Sequence, residues 1–84
     1  MHEHSLMADL MKKIADLAGP SKVISVKVTL GALSHMTPEH FTEHFEESSQ
    51  GTSAADAKLD ITMSDDIHHP NAQDVLLESI EVAA

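Results

Sequence analysis

Two runs of alternating side chains, separated by a helix-forming stretch, restrict what this chain can fold into more than any other feature. From Lys22 to Leu30, Ile24, Val26, Val28 and Leu30 alternate with Ser25, Lys27 and Thr29, the pattern of a strand with one wet face. Ala57 to Met63 repeats it, with Ala57, Leu59, Ile61 and Met63 set against Lys58, Asp60 and Thr62. Between the two runs, Thr37-Pro38 reads as an N-cap followed by proline at the first helical position. Met36 and Phe41 are spaced for a hydrophobic staple. The helix they open runs to about Gln50, with Phe41 and Phe45 inward and Gly51 as its stop. A strand-helix-strand unit of this length implies a right-handed parallel crossover.

The flanks complete the order. Leu6, Met7, Leu10, Met11, Ile14, Leu17 and Ala18 recur at helical spacing between Ser5 and Ala18, an amphipathic helix. Gly19-Pro20 ends it, glycine supplying a left-handed cap and proline refusing continuation. Residues 64–73 are polar with one proline, hence a loop, and Asp74 to Val82 forms a last strand of imperfect alternation. There Leu76, Ile80 and Val82 share a face with Glu78, which needs an edge position or a partner. The expectation is one α/β domain over residues 1–84, of the two-layer α+β kind. Its order is α-β-α-β-β, a three-stranded mixed sheet with both helices on one face.

Composition narrows the chemistry. Eighty-four residues with 42% hydrophobic content bury a modest core. The absence of cysteine removes disulfides, thiolate zinc sites, iron–sulfur clusters and cysteine nucleophiles, so histidine is the strong neutral metal ligand that remains. A net charge of −9 repels phosphate backbones and anionic membranes. Nucleic acid and membrane are therefore not expected as partners. With no Trp or Tyr and only two Phe, the stacking platforms of single-strand binders are missing too. No run approaches the roughly 20 apolar residues of a membrane span, and the start lacks the basic and apolar regions of a signal peptide. A cytoplasmic location is expected.

Three groups of residues are candidates for chemistry. At the start, Met1-His2-Glu3-His4 gathers a terminal amine, backbone amide nitrogens and two imidazoles. The amine, the intervening amide nitrogen and the His2 ring can wrap one ion in fused chelate rings, and planar nitrogen ligation suits Ni(II) or Cu(II). The plainer reading is two exposed histidines ahead of a helix. His40-Phe41-Thr42-Glu43-His44 matches the H-x-x-E-H pattern of inverted zinc peptidases, with both histidines on one helical face. Such an enzyme needs a third protein ligand and a substrate cleft, for which a small two-layer domain has little room. A solvated helix face is the simpler account, a weak adventitious zinc site on His40 and His44 is the alternative, and a zinc peptidase built on His40, Glu43 and His44 ranks last. The loop carries Asp65, Asp66, His68 and His69, ordinary surface-loop residues that can also donate to a metal.

Taken together, MHEHSL at the start, LGALSHMTPEHFTEHFE, the GT before AKLDI and the closing LLESIEV resemble the HypA family of nickel metallochaperones in hydrogenase and urease maturation. The similarity runs from Met1 to about Val82. Its most specific parts are the initial MHE and the run from Leu33 with proline, glutamate and two phenylalanines at fixed spacing.

The resemblance implies a nickel-binding domain of a small mixed sheet and two helices. It implies Ni(II) held by the Met1 amine, the His2 side chain and nearby amide nitrogens, including that of Glu3. It further implies a non-catalytic role, cooperation with a HypB-type GTPase, delivery of nickel to an enzyme precursor such as a [NiFe] hydrogenase, and homo-oligomers as one state of the protein. The family normally inserts a zinc subdomain with two CxxC pairs before the last strand, where this chain has only residues 64–73. No structural zinc is expected, and a ligand that the subdomain contributes to nickel must come from elsewhere. His68 and His69 are candidates by their place in the shortened loop, and His4 competes by its nearness to the site. The alternative function is a metal-free adaptor that keeps the GTPase- or client-binding surface.

Overall fold

The computed structural model describes residues 3–83, with side chains from position 6 onward. Five elements follow one another: α1 (Glu3–Ala18), β1 (Val23–Leu30), α2 (Pro38–Ser49), β2 (Lys58–Met63) and β3 (Val75–Val82). Helix α1 begins two residues earlier than periodicity alone places it. Its apolar stripe buries Met7, Leu10, Ile14 and Ala18, while Leu17 is 65% exposed. At its end Gly19 takes φ 57° and donates its N–H to the Ala15 carbonyl at 3.0 Å, the left-handed cap. Pro20 follows, and β1 runs back along the helix.

The sheet order is β2-β1-β3. β1 lies parallel to β2, with Val26 opposite Leu59, and antiparallel to β3, with Val26 opposite Ile80. The central strand supplies the floor of the core: Val23, Val26, Val28 and Leu30 are each fully buried. Above them sit the α1 stripe and Phe41 and Phe45 of α2, so both helices cover the same face. The mixed two-layer α+β arrangement is the one the alternating runs require. Among the described residues no helix is long and apolar enough to cross a membrane.

Two irregularities in the β1–β3 ladder decide which side chains face inward. Between Val23 and Ser25 the register shifts by one residue, and it shifts again where Lys27–Val28 face Ser79 and Leu77. The extra residues are Ile24 in β1 and Glu78 in β3, each a β-bulge that resets the two-residue period. Val23 consequently points into the core and Ile24, expected inside, is 43% exposed. In β3 the inward set is Val75, Leu77 and Ile80, not Leu76 with Ile80. Glu78 leaves the core side altogether and accepts a hydrogen bond from the Thr29 hydroxyl at 2.9 Å. Met63, expected inward, is 57% exposed at the end of edge strand β2.

Helix α2 is fixed by local chemistry. Thr37, extended at φ −87° and ψ 158°, accepts the His40 N–H on its hydroxyl at 3.1 Å, with Pro38 next to it as the first helical residue. Met36 and Phe41 are both buried in the shared core, as a staple requires. Gly51 at φ 79° follows the last turn.

The short loop after β2 is tied down by backbone. The Gly31 N–H donates to the Asp74 carbonyl at 2.9 Å, the Leu33 N–H to Ala72 at 2.7 Å and the Ser64 N–H to Leu30 at 2.9 Å. Gly31 sits so close that an added Cβ would lie 2.6 Å from the Ala72 carbonyl carbon and 2.7 Å from the Asp74 oxygen. Gly31→Ala is expected to destabilise the domain by about 2–3 kcal/mol through this overpacking, lowering Tm by roughly 10–20 °C for a chain of this size. Thermal unfolding followed by circular dichroism checks it, and an unchanged Tm would show that the loop is not docked on Gly31.

Candidate metal centre

The start of α1 is where the sequence concentrates nitrogen donors. Met1 and His2 lie outside the described residues, as do the side chains of Glu3 and His4. The backbone from Glu3 onward is helical, and the first amides of a helix have no carbonyl a turn earlier to receive them. The Glu3 amide therefore belongs to the set whose hydrogen-bonding capacity the helix does not use.

Around this end the fold assembles a rim. Leu6, in the first turns of α1, lines a hollow with Leu33, Ser34, His35, Met36 and Asp74. The residues before α2 and the end of the loop thus converge on the beginning of α1. Because β1 runs antiparallel to α1 and α2 runs back from the far end of β1, both helices start at this end of the sheet. His35, which no spacing argument singles out, is exposed and held at φ 58°, a left-handed conformation uncommon outside glycine. Its approach to α1 exists only once the turn after β1 folds over the core.

The loop histidines are placed differently. His69 lines a cleft with Thr29, Ser64 and Glu78. Thr29 and Glu78 mark the face of the sheet opposite the helices. The His69 Nδ1 accepts the Asn71 N–H at 3.0 Å, so in the neutral ring the proton sits on Nε2. Binding a metal through Nε2 would require the other tautomer and the loss of that hydrogen bond. His68 is exposed, and its N–H donates to the Asp66 carboxylate at 3.0 Å. Asp65 is exposed as well.

On α2, His40 and His44 stand side by side, their ring centroids 4.7 Å apart and their planes tilted by 37°. Glu43 is exposed beside them. Among the described residues no three His, Asp or Glu side chains gather closely enough to hold one ion, so the H-x-x-E-H match brings together two ligands and not the three a zinc peptidase uses.

Two helices starting together over one face of a mixed three-stranded sheet define a small α+β scaffold. The chain belongs to the HypA family, described as hydrogenase/urease nickel incorporation metallochaperones, whose pattern matches residues 1–69. The match includes the MHE start and ends inside the loop before β3. The hydrogenase maturation factor HypA of Rhizobium leguminosarum bv. viciae is 36% identical over 64 residues, covering 73% of this chain and 57% of the relative. The chain thus spans just over half the length of that relative. In fold it is similar to the solution structure of the Ni metallochaperone HypA from Helicobacter pylori, with TM-score 0.74 at 21% identity over 100% of this chain and 99% of that one. A second HypA solution structure gives TM-score 0.69 at 23% identity over 99% and 97% of the two chains.

The His69 geometry has its own readout. His69→Ala should speed hydrogen exchange at the Asn71 amide by roughly two- to fivefold, the equivalent of about 0.5–1 kcal/mol for one exposed hydrogen bond. Exchange measured by NMR checks this, and an unaltered Asn71 rate would mean that the imidazole does not hold the loop.

Proposed function

We infer that the chain is a nickel-binding accessory protein in the maturation of a nickel enzyme such as [NiFe] hydrogenase, a carrier and not a catalyst. The observation that carries this reading is the family match beginning at Met1, which includes the amine, the His2 imidazole and Glu3. The Met1 amine, the intervening amide nitrogens and His2 chelate Ni(II) in one plane, a geometry suited to that ion. Glu3 contributes its amide from the helix start and sets a carboxylate beside a positive helix end.

For a further ligand the reading favours His4, next in sequence to the chelate. His69 is directed to the opposite face of the sheet and its Nδ1 is engaged with Asn71. The protein works in the cytoplasm, meets a HypB-type GTPase and hands nickel to the enzyme precursor. With no cysteine in the sequence these residues offer no thiolates for the family's zinc site, and the loop in its place is held by backbone bonds from Gly31 and Leu33.

Calorimetry with Ni(II) on protein carrying its native N-terminus tests the reading. His2→Ala, or extension of the chain ahead of Met1, should weaken binding at least on the order of a hundredfold, since loss even of an outer-shell partner costs 10–100-fold. Affinity should fall with falling pH, because ligation displaces protons from the amine and imidazole. Nickel affinity that survives both changes rejects the N-terminal site. In a comparison of His4→Ala with the His68→Ala/His69→Ala double variant, the weakening should fall on His4→Ala. A chain that binds the GTPase but takes up no nickel would instead be the metal-free adaptor.

A further inference from the structure

The nickel reading uses the start of the chain and leaves the His40–His44 pair without a role. The two residues are four apart on α2, so they project from the same helical face one turn from each other. Their rings already lie 4.7 Å apart, centroid to centroid. An ion bound by two imidazole nitrogens at about 2.0–2.1 Å each needs those nitrogens about 3 Å apart, so the two rings must turn a nitrogen toward each other.

The scaffold beneath them is set without metal: Thr37 caps the helix, and Phe41 and Phe45 on its other side are fully buried. Assembling the pair therefore costs side-chain freedom and whatever contacts the two rings already make, but no backbone ordering. The charge around it favours a cation as well. Helix α2 carries Glu39, Glu43, Glu46 and Glu47 and no Lys or Arg, within a chain of net charge −9. The positive end of the helix opposes this near His40, but His44 stands a full turn further in, past the reach of that end.

We propose that His40 and His44 form a second metal site, a two-imidazole chelate for a divalent transition ion of the Ni(II), Cu(II) or Zn(II) kind, completed by water. Imidazole suits all three ions. With two protein ligands the site binds more weakly than a multidentate N-terminal chelate and exchanges its ion readily. It lies on α2, the helix that starts at the same end of the sheet as α1. The inference does not depend on the N-terminal reading.

The test is Ni(II) titration against a competing chromogenic chelator. It uses the full chain with a native N-terminus, the His2→Ala variant, the His40→Gln/His44→Gln double variant and each single glutamine variant. Circular dichroism confirms that all fold, His40 being exposed and His44 half-buried. The native chain is expected to take up two equivalents, the weaker one lost in the double variant and retained with unchanged affinity in His2→Ala. Each single variant should lose at least tenfold of the weaker affinity, because a chelate fails when either arm is removed. Survival of the weaker step in the double variant overturns the proposal. So does a single shared step abolished by both sets of changes, or a less than twofold loss in either single variant. Absence of the tight step alone, with the His40/His44 step intact, overturns the N-terminal reading and leaves this one standing.

Discussion

The structure depends on the one-sided burial of β1. It is the central strand, bonded on both edges, and its four inward side chains are fully buried. Each contributes about 1.5–3 kcal/mol by removal from water, so these residues anchor the core. Parallel pairing with β2 obliges the intervening chain to cross over the sheet as α2, and antiparallel return from α1 puts that helix on the same side. The opposite face stays wet, carrying Thr29, Lys27 and Glu78. From this one constraint it follows that the two helix starts share an end and that the loop after β2 closes against Gly31.

The bulges show how sequence and fold negotiate. Strict alternation would place Glu78 in the core beside Leu76, where an unpaired carboxylate is strongly disfavoured. One extra residue in β3 turns it outward to Thr29, and one extra residue in β1 at Ile24 restores the register. The two irregularities offset each other, so the strands stay in phase while the charge leaves the interior. Exposure of Ile24 is the consequence of accommodating Glu78 and the Val23 end in the same ladder.

Much of this was legible in the residues themselves. Thr37-Pro38 and Gly19-Pro20 mark α2 and the end of α1 because capping is local chemistry, and the five elements fall within about two residues of where periodicity puts them. The inward identities of Val23, Ile24 and Leu76 were not legible, since a bulge belongs to a pair of strands and leaves no mark in either alone. Leu17 fits the apolar period of α1 yet is 65% exposed, because the stripe is wider than the sheet beneath it. Around the candidate centre, adjacency in sequence exposes the Met1-His2-Glu3-His4 cluster. The meeting of Leu6 with His35 and the turning of His69 to the far face require the closed loop, a tertiary fact.

The described core packs apolar side chains alone, and for the proposed nickel role that has a consequence. In small domains that fold around their metal, binding free energy is folding free energy, and the ion leaves only when the structure does. Here the described core is Val, Leu, Ile, Met, Ala and Phe, closed by a backbone-bonded loop, and the proposed donors are not among its residues. Nothing in that core needs an ion to pack. Under the proposed nickel-carrier role, a partner offering better ligands would take the ion without first unfolding the domain, as delivery of a cargo requires.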